Sequence, residues 1–389
     1  MRIDAVVLGL SPTGLYALRE LHEAGHAVVG VDRSPGCARY SRAAQACWLV
    51  GDDDALMARL RRLADTQATP PLLLPTNDHY IELLIARQAE LAPRFRFAGC
   101  YGGIAAELLD KQRFHALCRR HGLAAPGVWL LADAQELDAL AADIPCPCLL
   151  KPALVHKARP FLRGAKLLIA RTPAELRRLA ATLPRDSGAW LVQEIVPGPE
   201  SQITLFGAYV DAAGNAQQGF VARKLRQYPP GFGSASLALS ADCAETRERS
   251  QDFLRRIGFH GICGAEFKRD PRDGVLKVIE INPRPTLWFA LSHAAGKRIA
   301  VACARDLRGE AAPADDRQRD GVLWRYLLKD LAAARFYRRR GADFVLPPPQ
   351  TAAAAQARGR SWAVFDGRDP LPALMEPLLF LRKLFARRA

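Results

Sequence analysis

Residues 262–288, ICGAEFKRDPRDGVLKVIEINPRPTLW, restrict this chain more than any other stretch. Ile262–Lys268 reads as a strand, Asp270–Gly274 as a tight turn and Val275–Asn282 as the returning strand. Side chains alternate along a strand, so Glu280 and Asn282 share one face of the second. Pairing symmetric about the turn sets Glu266 opposite Val278 and diagonal to Glu280. Two carboxylates on one face repel each other unless a cation lies between them. A hard, oxygen-loving divalent cation suits that position, and magnesium usually brings phosphates with it. The alternative is an exposed hairpin with its acids in water. Apolar flanks and the run Asn282-Pro283-Arg284-Pro285 argue against it.

The 389 residues suffice for two or three domains, and a 49% hydrophobic, 24% charged composition is that of a soluble protein with ample core. The net charge of +15 favours anionic partners, which include nucleotides, acidic metabolites, nucleic acid and anionic membranes. Nine scattered cysteines without a CxxC pair speak against a disulfide framework or zinc site and fit a reducing cytoplasm. The N-terminus lacks a signal-peptide layout, and no apolar run reaches the roughly 18–20 residues of a spanning helix.

From the N-terminus, a strand at 3–8 is followed by Gly9-Leu-Ser-Pro-Thr-Gly14, a helix over Leu15–Glu23, and a strand over Ala27–Val31 closing on Asp32. This βαβ unit carries part of a dinucleotide fingerprint, with Ser11 in place of the middle glycine; a tight helix-on-sheet turn is the stronger reading. Further βα units place residues 1–105 in a parallel α/β domain, with Thr76–His79 at a strand's carboxyl end, where such sheets bind ligands. After Lys111 come a helix ending at Gly122, a strand at Val128–Leu131, a helix at Ala134–Ala142 and a strand at Cys148–Lys151. A lysine closing an apolar strand is costly unless it meets an anion such as phosphate, or snorkels at a sheet edge. Residues 153–165, with His156, Lys157, Arg159, Arg163 and Gly164, would suit a phosphate-covering loop. Trp190–Val196, Ser201–Val210 and Gln217–Ala222 read as strands, and Arg223 to Ser234 as a basic Gly/Pro-rich loop.

Lys111, Lys151-Pro152, Gln193-Glu194-Ile-Val196-Pro-Gly-Pro-Glu200, Glu266 and Glu280-Ile-Asn282-Pro-Arg284 occur in the order seen in the ATP-grasp superfamily. Over residues 1–305 the chain resembles its carboxylate–amine ligase branch, which includes D-alanine–D-alanine ligase and D-aspartate ligase-like enzymes, and Arg223-Lys-Leu-Arg-Gln-Tyr-Pro-Pro resembles the D-aspartate ligase and pyrrolysine-synthesis ligase side of it. The resemblance implies a Rossmann-like α/β pre-ATP-grasp domain (1–105), a two-lobed α+β ATP-grasp domain (106–310) and, beyond it, a basic helical extension (311–389). It implies an ADP-forming ligase that activates a carboxylate as an acylphosphate and couples it to an amine. Lys111 and Lys151 would hold ATP phosphates. Gln193, Glu194 and Val196 would border adenine, and Glu200 would take the ribose. Glu266, Glu280 and Asn282 would ligate Mg²⁺, with Mn²⁺ as a substitute. Arg284, with Arg223 or Lys224, would face the transferred phosphoryl group or the substrate carboxylate. A non-catalytic nucleotide-binding scaffold is the competing class, and no nucleic-acid motif accompanies the charge.

Residues 317–389 carry 15 Lys and Arg against 6 Asp and Glu. Val322–Arg340 reads as a basic helix with Leu323, Leu327, Leu328 and Leu331 on one side, and leucines alternate with basic residues from Leu378 to Arg388. Such helices pack on the body or a second subunit, as in a homodimer, or lie on an anionic membrane.

Overall fold

The computed structural model describes residues 2–131, 144–152, 167–183, 189–340 and 343–386. The expected helix 134–142 and basic stretch 153–165 lie outside the described residues. Strands β1 (Ala5–Leu8), β2 (Val28–Asp32), β3 (Ala46–Leu49) and β4 (Leu72–Pro75) form a parallel sheet in the order β3-β2-β1-β4. Helix Pro12–Glu23 follows β1, with Ser11 as its N-cap. Its glycines serve packing: Gly9 has φ +112°, and a Cβ on Gly14 would lie 1.9 Å from the Gly9 carbonyl oxygen. Asp32 accepts from the Leu10 amide at 2.7 Å and the Tyr80 hydroxyl at 2.7 Å, so its carboxylate pins this turn.

A smaller antiparallel sheet contains β5 (Val128–Leu131), β6 (Cys148–Pro152), β7 (Leu168–Ala170) and β8 (Trp190–Glu194), ordered β5-β8-β6-β7. Helix Pro173–Ala181, capped by Thr172, buries Leu176 and Ala180 against it. Leu150, Leu176, Trp190 and Val192 belong to a core cluster made wholly of residues from this lobe.

The third sheet has seven strands: β9 (Ile203–Val210), β10 (Ala216–Tyr228), β11 (Ser234–Ser240), β12 (Gly261–Arg269), β13 (Leu276–Asn282), β14 (Val322–Arg325) and β15 (Gly359–Trp362). Their order is β13-β12-β9-β10-β11-β14-β15. Three expectations are corrected here. The Arg223–Tyr228 segment is strand, not loop, because β10 pairs with β11 as far as Tyr228 and Ser234. Val322–Arg325 is strand, not the start of a helix; the helix is Leu327–Arg340. The C-terminal region is therefore no helical appendage: β14 and β15 complete the large sheet, and Trp324, fully buried, shares a core with Val7, Leu18 and Trp288.

The hairpin β12–β13 also departs from symmetric pairing. Lys268 pairs with Lys277 and Phe267 with Val278; the register then shifts, and Glu266 pairs with Glu280. Ile279 is the extra residue of a β-bulge. Without it Ile279 would stand opposite Glu266, and Glu280 would fall on the other face.

Candidate functional site

A cleft of about 680 Å³, open space included, separates the small lobe from the large sheet. Lys151, Gln193, Glu194 and Val196 line it from the small lobe and the strand leaving it; Glu266, Lys268 and Glu280 line it from the hairpin. Leu346, from the C-terminal region, closes one side.

Lys151 is the penultimate residue of β6, and its Nζ donates to Gln193 Oε1 at 2.9 Å. Burial, reinforced by the charge of Lys111, pushes the Lys151 ammonium down to about 8. An ammonium destabilised in this way gains most from an incoming anion. Lys111 opens helix Lys111–Arg120, whose first turn is capped by Asp110, and its side chain is exposed.

Glu194 and Val196 are tied down by different means. The Glu194 carboxylate accepts from the Gly127 amide at 2.9 Å and pairs with Arg272 and Lys277. Against the cost of burial, these partners hold its pKa below the usual carboxylate range. Beside it, Asp270 is held far lower, first by its hydrogen bond to Arg272. The Val196 carbonyl accepts from Lys268 Nζ at 2.8 Å, and Gly198 O accepts from the same nitrogen at 2.7 Å. Lys268 is a site residue that the sequence reading missed, although its spacing of two from Glu266 puts both on one strand face. Burial lowers its ammonium to about 8.

Glu266 and Glu280 face each other across the hairpin. Lys224, fully buried, pairs with Glu266 and also donates to Gln227 Oε1 at 3.2 Å. Burial raises the Glu266 carboxyl; Lys224 opposes that shift and Glu280 adds to it. Asn282 Nδ2 donates to Glu280 Oε1 at 3.0 Å. Arg284 Nη2 donates to Asn282 Oδ1 at 3.1 Å, and its Nε to Asp78 Oδ1 at 2.6 Å. Asp78 belongs to the Thr76–His79 segment, so the parallel domain reaches the hairpin here. Within that segment, Thr76 is spent on the Leu8 carbonyl and Asn77 on a helix cap, while His79 meets Asp53 at 2.9 Å.

Two expected residues stand elsewhere. Arg223 precedes Lys224 on β10 and so points to the opposite face, exposed, where Nη2 donates to the Ser201 carbonyl at 3.4 Å. Glu200 is fully buried, and its oxygens accept from the amides of Gln227 at 3.1 Å and Gly231 at 3.0 Å. There it anchors the β10–β11 turn rather than standing at the open face of the cleft.

The same layout, a parallel α/β domain followed by a small antiparallel lobe and a large sheet, recurs in solved structures. An ADP complex of N5-carboxyaminoimidazole ribonucleotide synthetase superposes with a TM-score of 0.64 at 12% identity, covering 82% of this chain and 80% of that one. Biotin carboxylase from Campylobacter jejuni gives 0.61 at 18% identity, covering 82% and 74%. The chain has the ATP-grasp fold. In ATP-grasp terms the small lobe and the seven-stranded sheet are the two jaws. Among curated proteins, D-aspartate ligase of Enterococcus faecium (strain Aus0004) is 24% identical over 222 residues, which cover 55% of this chain and 53% of the relative. The large chain of carbamoyl phosphate synthase of Pasteurella multocida (strain Pm70) is 27% identical over 254 residues, covering 61% and 22%. The match thus spans about half of the first relative and under a quarter of the second. No family model matches the sequence.

Proposed function

We propose that this ATP-grasp chain is an ATP-dependent, ADP-forming ligase that joins a carboxylate to an amine. The observation that carries the reading is the direct pairing of Glu266 with Glu280 inside the cleft, flanked by Lys151 and followed by Asn282 and Arg284. Two facing carboxylates and a carboxamide oxygen match the oxygen ligands that Mg²⁺ or Mn²⁺ takes, and they lie on the cleft wall where a triphosphate would end. Asn282 would turn its Oδ1 from Arg284 to such an ion. The ion supplies neutralisation of phosphate charge when bound.

The rest is done by the chain's own groups. The carbonyl of Val196 is pinned by Lys268, so the backbone after β8 presents a fixed edge to a purine. Lys151, and Lys111 near it, meet phosphate oxygens. Lys224 stays behind Glu266 and keeps that carboxylate from being buried without a counter-charge. Arg284 holds the carboxylate to be activated. A carboxylate oxygen attacks the γ-phosphorus, the bond to the β-phosphate oxygen breaks, and ADP leaves. The amine nitrogen then attacks the acyl carbon, phosphate departs with the carbon–oxygen electrons, and the amine loses a proton as the amide forms. Positioning and charge neutralisation do most of this work, so no nucleophilic side chain is required. The D-aspartate ligase relative favours an amino acid among the substrates. Mass spectrometry of products, after incubation with ATP and pairs drawn from a panel of amino and carboxylic acids, tests the reading. Amide product with equimolar ADP supports it; nucleotide binding with no ADP release across the panel would sink it.

A further inference from the structure

We propose that the outer face of the C-terminal region seats the protein on an anionic lipid surface. Leu371, Leu374, Leu378 and Leu381 follow steps of three and four along helix Leu371–Ala386, which places them on one stripe. They are 48%, 69%, 61% and 49% exposed. On helix Leu327–Arg340, Leu327 and Leu331 are 45% and 55% exposed. An apolar groove of about 450 Å³, open space included, lies between the helices, walled by Leu327 and Leu328 from one and Ala373 and Pro377 from the other. One exposed leucine is ordinary; six on two adjoining helices form the kind of patch that marks an interaction surface.

Charge decides between occupants. Leu327, Leu331, Arg335 and Arg338 lie on one line along their helix, so the apolar stripe runs into a basic one; Arg339, Arg340 and Arg382 add exposed cations. The acids on these helices are withdrawn. Asp330 is buried and paired with Arg226 at 2.6 Å, and Glu376 is taken by the Tyr326 hydroxyl. A second copy of this surface would meet basic rim with basic rim and find no exposed acid there. Lipid phosphates and carboxylates offer the opposite charge, and the leucines suit the acyl boundary. No helix among the described residues is long and apolar enough to cross a membrane, so the contact is peripheral.

Co-sedimentation of the full chain with phosphatidylcholine vesicles, with and without phosphatidylserine, provides the test. Binding to the anionic vesicles should be at least about tenfold tighter and should weaken with salt. The double variant Leu374→Glu, Leu378→Glu changes only exposed positions, so its melting temperature should match the parent while vesicle binding falls about tenfold or more. Equal binding to both vesicle types, no binding, or binding unaffected by the double variant would each overturn the proposal. So would a concentration-dependent dimer in sedimentation velocity that the double variant dissociates, since a second copy would then own the surface.

Discussion

The Arg284 guanidinium donates from Nε to Asp78 Oδ1 at 2.6 Å, joining residues 206 positions apart. The contact brings the carboxyl edge of the parallel sheet against the end of the β12–β13 hairpin. Arg284 is also held by Asn282 Oδ1 and the Pro285 carbonyl, so it keeps its place without Asp78. Arg284→Ala should lower kcat/KM for the carboxylate by about 10²–10³-fold at saturating ATP, with the melting temperature little changed. Asp78→Ala should cost less than about tenfold. Steady-state kinetics of both variants would reveal a reversed order, which would place the substrate contact on Asp78 instead.

Glu280 stands exposed at the cleft mouth, where Asn282 Nδ2 donates to it. Glu280→Ala should therefore fold normally and lose turnover by at least about 10³-fold. Isothermal titration with Mg²⁺ and a non-hydrolysable ATP analogue should show the metal dependence lost. Near-normal activity in that variant is incompatible with the assignment.

Lys224 and Glu266 are a buried ion pair. Removing one member leaves the other charge stranded, at about 3–5 kcal/mol. Lys224→Met should destabilise by that order in urea unfolding. Adding Glu266→Gln should restore much of the stability but none of the activity, because Glu266 would still be missing from the ligand set. Recovery of both together would reduce Glu266 to a structural role.

The Lys151 ammonium, lowered to about 8 by burial and by Lys111, is charged below that pH and neutral above it. Nucleotide affinity of the free protein should hold from pH 6 to 7.5 and fall by about tenfold towards pH 9. Arginine stays charged throughout. Lys151→Arg should flatten that limb even if overall affinity drops. An unchanged limb would move the titration to Lys268, whose ammonium is lowered to about the same value.

Deleting residues 317–389 removes β14 and β15 and the fully buried Trp324. It uncovers the edge of β11 and a core shared with the first domain, where Asp369 pairs with Arg19 at 3.0 Å. The truncated chain should be insoluble or lack a cooperative melt. A soluble 1–316 fragment that binds nucleotide would contradict the integral role of these strands.

The hairpin, the βαβ start and strand β6 with Lys151 near its end were all readable because each is local. Alternation, turn residues and a glycine pair leave few other ways to fold those stretches. Lys268 was legible in principle, being a charge two residues from Glu266 in a strand otherwise apolar. The reading of Val322–Arg325 failed because leucines at helical spacing continue directly into helix Leu327–Arg340, and only pairing with β11 makes the first four residues a strand. Glu200 stood in its motif as a ligand; the amides of Gln227 and Gly231 that it also holds come from β10 and the turn after it, which no local pattern shows.

By itself, then, the sequence determined that two acids, an amide and an arginine would leave one hairpin close together, since four of them lie within 19 residues. It could not determine that the acids face each other. That depends on a bulge at Ile279, on a strand whose partner β12 is paired without interruption to β9 on its other side. Nor could it pair Lys224 with Glu266 or Asp78 with Arg284. Those partners meet because sheet order and domain packing bring distant backbone together, and burial then makes each unpaired charge too costly to leave alone.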